Sequence, residues 1–305
     1  MATVKSTTFG SLEALEVKNS SGACVKVALY GGTIVAYADS NGRERLFVSD
    51  KALTDGSKPI RGGIPLVFPQ FGDGQGKYPN LPSHGFARRS KWTFQGSSPT
   101  GSSFEDALTN ADGSVTFYLI LTDSEEILAS WNHPFKLTLK VTFDNSNLAT
   151  ELSVENPGTE GFEFQALLHT YYLLSAVENI AVQGLKGLTY IDQLQGRIQV
   201  KEEGEELPIN KETDWIYTNA TQPLRITGVD NTNIEISISL KKGNQSHPVD
   251  AVVWNPWIKK AKGMGDFGHE EYRRMICVEP GCVSRFETCE PGQTWALEQK
   301  ISFPL

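Results

Sequence analysis

A chain of 305 residues with 39% hydrophobic and 21% charged residues is long enough, and mixed enough, to bury a substantial globular core; it is neither disordered nor membrane-embedded in composition. No apolar run approaches the roughly 20 residues that a membrane-spanning helix needs. A formal charge of -8, with the basic residues dispersed, opposes attraction to nucleic acid or anionic lipid and leaves a small molecule as the expected partner.

In chain order, the opening MATVKSTTFGSLEALEV lacks an apolar stretch followed by a small-residue cleavage site, so a cytoplasmic location is expected. Period-two alternation predicts strands at 25–29, 115–121, 135–143, 148–154, 162–168, 198–200, 234–240 and 301–303. Turn signals such as Asn41-Gly42, Asp112-Gly113 and Asn156-Pro157-Gly158 punctuate them. The Ser/Gly stretch 96–103 reads as a mobile hairpin loop. Helical spacing at 123–131 and 266–274 allows one or two short helices at most. With no linker, composition shift or fixed-period repeat, the expectation is a single all-β domain over 1–305, built from large antiparallel sheets packed as a sandwich.

The richest segment for chemistry is 61–92, RGGIPLVFPQFGDGQGKYPNLPSHGFARRSKW, too rich in Gly and Pro for a long helix. Arg61, Arg88 and Arg89 offer forked donors to phosphate oxygens, and His84 can exchange hydrogen bonds with a hydroxyl. Phe68, Phe71, Tyr78, Phe86 or Trp92 could line the apolar face of a sugar. A solvated loop with salt-bridged arginines explains the same residues. In FEFQALLHTYY (162–172), Phe162, Phe164, Ala166 and Leu168 take one parity, which sends Gln165, His169 and Tyr171 to the other face. In RMICVEPG (274–281), Cys277 and Glu279 share a face opposite Ile276 and Val278, and Pro280 is expected to end the strand just after the carboxylate. The four cysteines (24, 277, 282 and 289) lack paired C-x-x-C spacing and read as free thiols, Cys277 in a packing role. The five histidines show neither H-x-H nor H-E-x-x-H spacing, and no Gly-rich nucleotide fingerprint is present, so neither metal nor cofactor is expected.

Together, DGSKPIRGGIPLVFP (55–69), SHGFARRSKW (83–92), LLHTYY (167–172), TDWIY (213–217), VWNPWIKKAKGMGDFG (253–268), MICVEPG (275–281) and PGQTW (291–295) resemble the aldose 1-epimerases, or mutarotases, and within them the glucose-6-phosphate 1-epimerase branch. The likeness runs from near residue 30 to the C-terminus. It implies a galactose-mutarotase-like supersandwich, with His169 as general acid, Glu279 as general base, His84 beside the sugar ring and Asp214 receiving hydroxyl hydrogen bonds. Arg61, with Arg88 or Arg89, would hold a 6-phosphate. Strand-like alternation expects only one of that adjacent pair to face the ligand, without choosing which. Gln70 and Gln165 are further candidate hydroxyl partners.

The implied reaction interconverts α and β anomers of a hexose 6-phosphate without a cofactor, in a monomer. Three alternatives stand beside it. One is a noncatalytic carbohydrate-binding or sugar-phosphate-sensing sandwich, which gives no reason for a converging His and Glu. Another is a mutarotase of unphosphorylated aldoses, and the last a metal-dependent isomerase on a cupin-like barrel, which needs a ligand set not evident here. Trp254, Asn255, Pro256 and Trp257 suit either a pocket rim or core packing, and Lys259, Lys260 and Lys262 suit either a solvated face or added positive potential near a phosphate.

Overall fold

The computed structural model describes residues 2–100, 107–230 and 232–304. Part of the expected hairpin loop at 96–103 falls outside those residues. Among them, 23 strands form three antiparallel sheets of four, eleven and eight strands. Each strand expected from alternation is present, for example Lys136–Phe143, Asn147–Glu155 and Thr232–Lys242 in the eleven-stranded sheet. The eight-stranded sheet runs Ile198–Lys201, Thr189–Asp192, Thr213–Thr218, Asp250–Asn255, Met275–Cys289, Phe162–Leu168 and Leu66–Val67, with Tyr171–Leu173 also paired to Met275–Cys289.

Alternation explains the layering. Leu137, Leu139 and Val141 from the larger sheet join Phe164, Ala166, Leu168, Ile276 and Val278 from the smaller one in a single buried cluster between them. Full burial of each of these side chains other than Ala166 contributes about 1.5–3 kcal/mol. The opposite parity of the eight-stranded sheet, with Leu167, Tyr171, Val252, Trp254 and Cys277, forms a second cluster capped by Ala261, Phe267 and Tyr272. Both faces of this sheet are thus covered, and the outer covering is incomplete where the site opens.

Helix is scarce. Glu125–Ser130 lies inside the expected 123–131 span, with Ser124 Oγ accepting from the Ile127 N–H at 3.3 Å and two glutamates in its first turn. The 266–274 span yields only the 3₁₀ turn Glu271–Arg274. An unexpected helix, Trp257–Gly263, buries Ala261 alone, so it has no apolar periodicity to reveal it. No helix among the described residues is long and apolar enough to cross a membrane.

Pro280 does not end its strand. Met275–Cys289 continues through it, with Pro280 opposite Ala251. On its other flank the strand pairs Cys277 with Tyr171 and Gly281 with Leu167, and no partner is registered for 278–280. A residue without an N–H is tolerated where the neighbouring ladder is already interrupted.

Candidate active site

Register assembles the site from residues far apart in sequence. Asp214 pairs with Trp254, Trp254 with Cys277, and Cys277 with Tyr171, making one row across four strands. Two residues along, Ile216 pairs with Val252 and Val252 with Glu279. The register that joins Leu167 to Gly281 and Tyr171 to Cys277, continued through the break between their strands, sets His169 opposite Glu279. Because strand side chains alternate, both rows project from the same outer face.

His169 Nδ1 lies 3.4 Å from Glu279 Oε1, and the residues are 7% and 1% exposed. Neither His169 Nδ1 nor either Glu279 oxygen has a hydrogen-bond partner among the described residues. The imidazole is held by stacking on Tyr171, with centroids 4.7 Å and planes 8° apart, and by the edge of Trp254 at 5.9 Å. Burial pushes the Glu279 carboxyl well above its ordinary range, with the Asp214 carboxylate adding to it. Burial likewise pushes His169 well below the ordinary histidine value, helped by the positive charges of Arg88 and Arg61. Both shifts favour the neutral forms.

A cavity of about 320 Å³ opens over the pair. Arg61, His84, His169, Asp214 and Glu279 all line it, so five of the expected site residues converge. His84 sits in the left-handed backbone region at φ 62°, a conformation that costs a histidine on the order of 1–3 kcal/mol. Its N–H donates to Gly72 O at 2.7 Å, and its Nδ1 accepts from the Gly72 N–H at 3.2 Å. That second bond places the ring proton on Nε2, leaving a donor for a ligand. Desolvation, reinforced by Arg88 and His169, holds His84 well below the ordinary histidine value and therefore neutral. Gly85 must follow, because a Cβ there would lie 2.0 Å from Phe68 O.

The arginines form an adjoining pocket of about 310 Å³ with Ser57, Lys58 and Asp266, and Arg61 lines both spaces. Arg61 donates to Asp266 Oδ2 from Nε and Nη2 at 3.3 and 3.1 Å, and to Tyr171 Oη at 3.3 Å. Arg88 and Arg89 both line the arginine pocket, against the expectation that only one would. They belong to the 3₁₀ turn Ala87–Arg89, whose three residues per turn set neighbours about 120° apart and not on opposite faces. Arg88 donates to Ser83 O at 2.9 Å while its buried Nε has no partner. Burial, with the like charges of Arg61 and Arg89, pushes its guanidinium down to about 10.

Other expectations fail. Gln70 is fully buried and donates to Leu81 O and Pro82 O at 3.4 and 3.2 Å. Gln165 bridges the Phe71 N–H and Val283 O at 3.0 and 2.8 Å. Neither lines the cavity; both satisfy backbone groups. Of the five aromatics proposed for a sugar face only Phe71 reaches it, while Phe68, Phe86 and Trp92 lie in the sandwich core. Trp254 is the larger aromatic wall. Sequence reasoning missed Gln193, whose Nε2 donates to Asp214 Oδ1 at 3.2 Å, and undervalued Lys260, whose Nζ is 3.6 Å from Asp214 Oδ2. Burial raises the Asp214 carboxyl, against the lowering effect of Lys260 and Gln193. A larger groove of about 660 Å³ beside Glu125–Ser130 has no histidine in its lining.

A buried imidazole–carboxyl pair lies under a polar cavity on the outer face of a large antiparallel sandwich, the fold class of the mutarotases. The chain belongs to the aldose 1-epimerase family, which matches residues 13–302, and it is an epimerase. A Cenchrus ciliaris protein named "Putative glucose-6-phosphate 1-epimerase" is 36% identical over 287 residues, 93% of this chain and 82% of that one. An Escherichia coli K12 protein of the same name is 30% identical over 90% of this chain and 85% of its own length. For the fold, a Salmonella typhimurium structure described as a "putative mutarotase" superposes with a TM-score of 0.83 at 22% identity, covering 99% of this chain and 94% of that one. A galactose 1-epimerase from Lactobacillus acidophilus superposes at 0.71 and 16% identity, covering 100% and 98%.

Proposed function

We propose that the chain interconverts the α and β anomers of a hexose 6-phosphate, glucose 6-phosphate first among them, by opening and reclosing the sugar ring. The observation that carries this reading is the His169–Glu279 pair beneath a hexose-sized cavity that shares Arg61 with an arginine-lined pocket. The neutral pair and its carboxylate–imidazolium form contain the same single proton. A shift between Oε1 and Nδ1 therefore arms the site without drawing on solvent.

Glu279 as carboxylate takes the C1 hydroxyl proton while the imidazolium of His169 donates to the ring oxygen, breaking the C1–ring oxygen bond and leaving an open aldehyde. Rotation about C1–C2 presents the other carbonyl face. Reclosure runs the two proton transfers backwards. His84, Asp214, Gln193 and Lys260 receive or donate hydroxyl hydrogen bonds, and Trp254 and Phe71 pack on the sugar's C–H faces. The 6-phosphate lies in the arginine pocket, where the half-buried cation of Arg88 has no carboxylate partner among the described residues and gains most from an anion. Because the phosphate is remote from C1, these contacts position the sugar and leave the breaking bond untouched.

Polarimetry or exchange NMR on freshly dissolved glucose 6-phosphate, glucose and galactose tests the proposal. Acceleration greatest with glucose 6-phosphate is expected. Binding of the sugar phosphate without acceleration would convert the catalyst into a receptor, and equal rates on all three sugars would remove the phosphate assignment.

A further inference from the structure

Cys277 has no part in the proton transfers above, yet it occupies the row between Trp254 and Tyr171, one step from the pair. An inert apolar side chain of similar size would fill that place equally well. The donor atoms of His169, Cys277 and Glu279 all lie within 4.8 Å of one another, and all three residues are buried. His169 Nδ1 and both oxygens of Glu279 are unpartnered, so three donor atoms beside the thiol are free to accept a common ligand. A sugar hydroxyl could satisfy the imidazole and the carboxylate, but it has no use for sulfur.

The spacing suits a small tetrahedral cation. Zinc bonds of about 2.0–2.3 Å imply ligand-to-ligand edges of roughly 3.3–3.7 Å. The 3.4 Å between His169 Nδ1 and Glu279 Oε1 already meets this. The thiol, within 4.8 Å of both, needs to approach by about 1 Å. Imidazole, thiolate and carboxylate are a ligand set for a borderline-soft ion such as zinc and a poor one for magnesium or calcium. The cavity reaches His169 and Glu279, with Cys277 fully buried beside them, and supplies the entry path and room for water in the fourth position.

We infer that His169, Cys277 and Glu279 form an inhibitory site for Zn²⁺, which binds through Nδ1, Sγ and a carboxylate oxygen and holds the two proton-transfer groups out of the reaction. Binding displaces the thiol proton to solvent and leaves both side chains coordinated, so sugar and metal exclude each other. The binding half of the inference stands on geometry alone; the inhibitory half rests on the acid–base reading of the pair.

The test is a Co²⁺ titration of the chelator-treated protein, followed by anomerisation assays at buffered free Zn²⁺. Expected are a thiolate-to-cobalt absorption band in the near ultraviolet, its loss on adding Zn²⁺, and Zn²⁺ inhibition reversed by EDTA. Cys277→Ala should abolish the band and raise the half-inhibiting Zn²⁺ concentration at least about tenfold, as weakening a zinc site does, with metal-free activity unchanged. Cys277→Ser, closer in size and a poor zinc ligand, repeats the comparison should the alanine variant fold badly. Absence of the band in the unaltered protein, or equal inhibition of the cysteine variants, would overturn the site and leave the acid–base reading standing. A cobalt band with undiminished anomerisation would overturn the inhibition and count against His169 and Glu279 as the proton-transfer pair.

Discussion

Two buried polar clusters lie back to back at the break between Phe162–Leu168 and Tyr171–Leu173, and they are built to opposite rules. On the inner side, Thr170 Oγ1 meets Gln299, whose Nε2 donates to Thr170 Oγ1 at 2.7 Å and to Thr150 Oγ1 at 3.0 Å. Thr170, Thr150 and Gln299 are each fully buried, and their polar groups satisfy one another. On the outer side, the preceding residue, His169, faces Glu279, its Nδ1 and both carboxyl oxygens unpartnered among the described residues. Satisfied polar groups in the core stabilise one arrangement. Unsatisfied ones under a cavity are held ready for a partner that comes and goes.

Glu279→Gln should produce the largest effect. General acid–base groups typically contribute about 10²- to 10⁴-fold, so polarimetry should show a loss of that order with sugar-phosphate binding retained. The thermal midpoint should hold steady or rise, because the change removes a buried ionisable group with no partner. Retention of more than about a tenth of the rate would contradict the base role. The same substitution logic on the inner cluster reverses: Gln299→Leu strips partners from Thr150 and Thr170, costing about 1–3 kcal/mol of stability in denaturant titrations and leaving kcat nearly unchanged. A Gln299→Leu variant with intact stability, or a Glu279→Gln variant that unfolds readily, would dissolve the contrast between the clusters.

Arg88→Met sharpens it at a smaller scale. A hydrogen bond to a charged group is worth about 1.5–3 kcal/mol, so KM for glucose 6-phosphate should rise roughly 10- to 100-fold while kcat on free glucose stays put. Arg61→Ala should also weaken use of the phosphosugar more than the free sugar, but less cleanly. It strands Asp266 and releases Tyr171, the ring on which His169 stacks. Equal losses on both sugars in Arg88→Met would detach the arginine pocket from phosphate.

The contrast also marks how far sequence could reach. Alternation is local, so parity was legible: Phe164, Ala166 and Leu168 to one face, His169 and Tyr171 to the other, Cys277 with Glu279. Register is not local. Nothing within 162–172 or 274–281 states that the two segments pair so that His169 meets Glu279, and only the resemblance to the aldose 1-epimerases joined them. Where backbone leaves the strand period, local rules misled: Arg88 and Arg89 share a pocket because they ride a 3₁₀ turn, and Pro280 continues a strand because one flank is already open. Lys260 was hidden because its helix buries one residue, so its lysines look like any solvated face.

The smallest expected effect is a flat pH profile, and it follows from the direction of two shifts. His169 is pushed well below 6.5, so a second proton joins the pair only on acidification; Glu279 is pushed well above 4.5, so the last proton leaves well above the ordinary carboxylate range. The one-proton state, with one donor and one acceptor, therefore spans a broad window around neutrality. Enzyme-dependent anomerisation of glucose, corrected for the spontaneous rate, should change little between about pH 6.5 and 8 and fall only on further acidification. Free glucose is the right substrate, because a phosphate ester's second ionisation near pH 6 would bend the profile on its own. An acid limb centred on 6.5 would mean that His169 titrates like a solvated imidazole, and that the outer cluster is wetter than its burial implies.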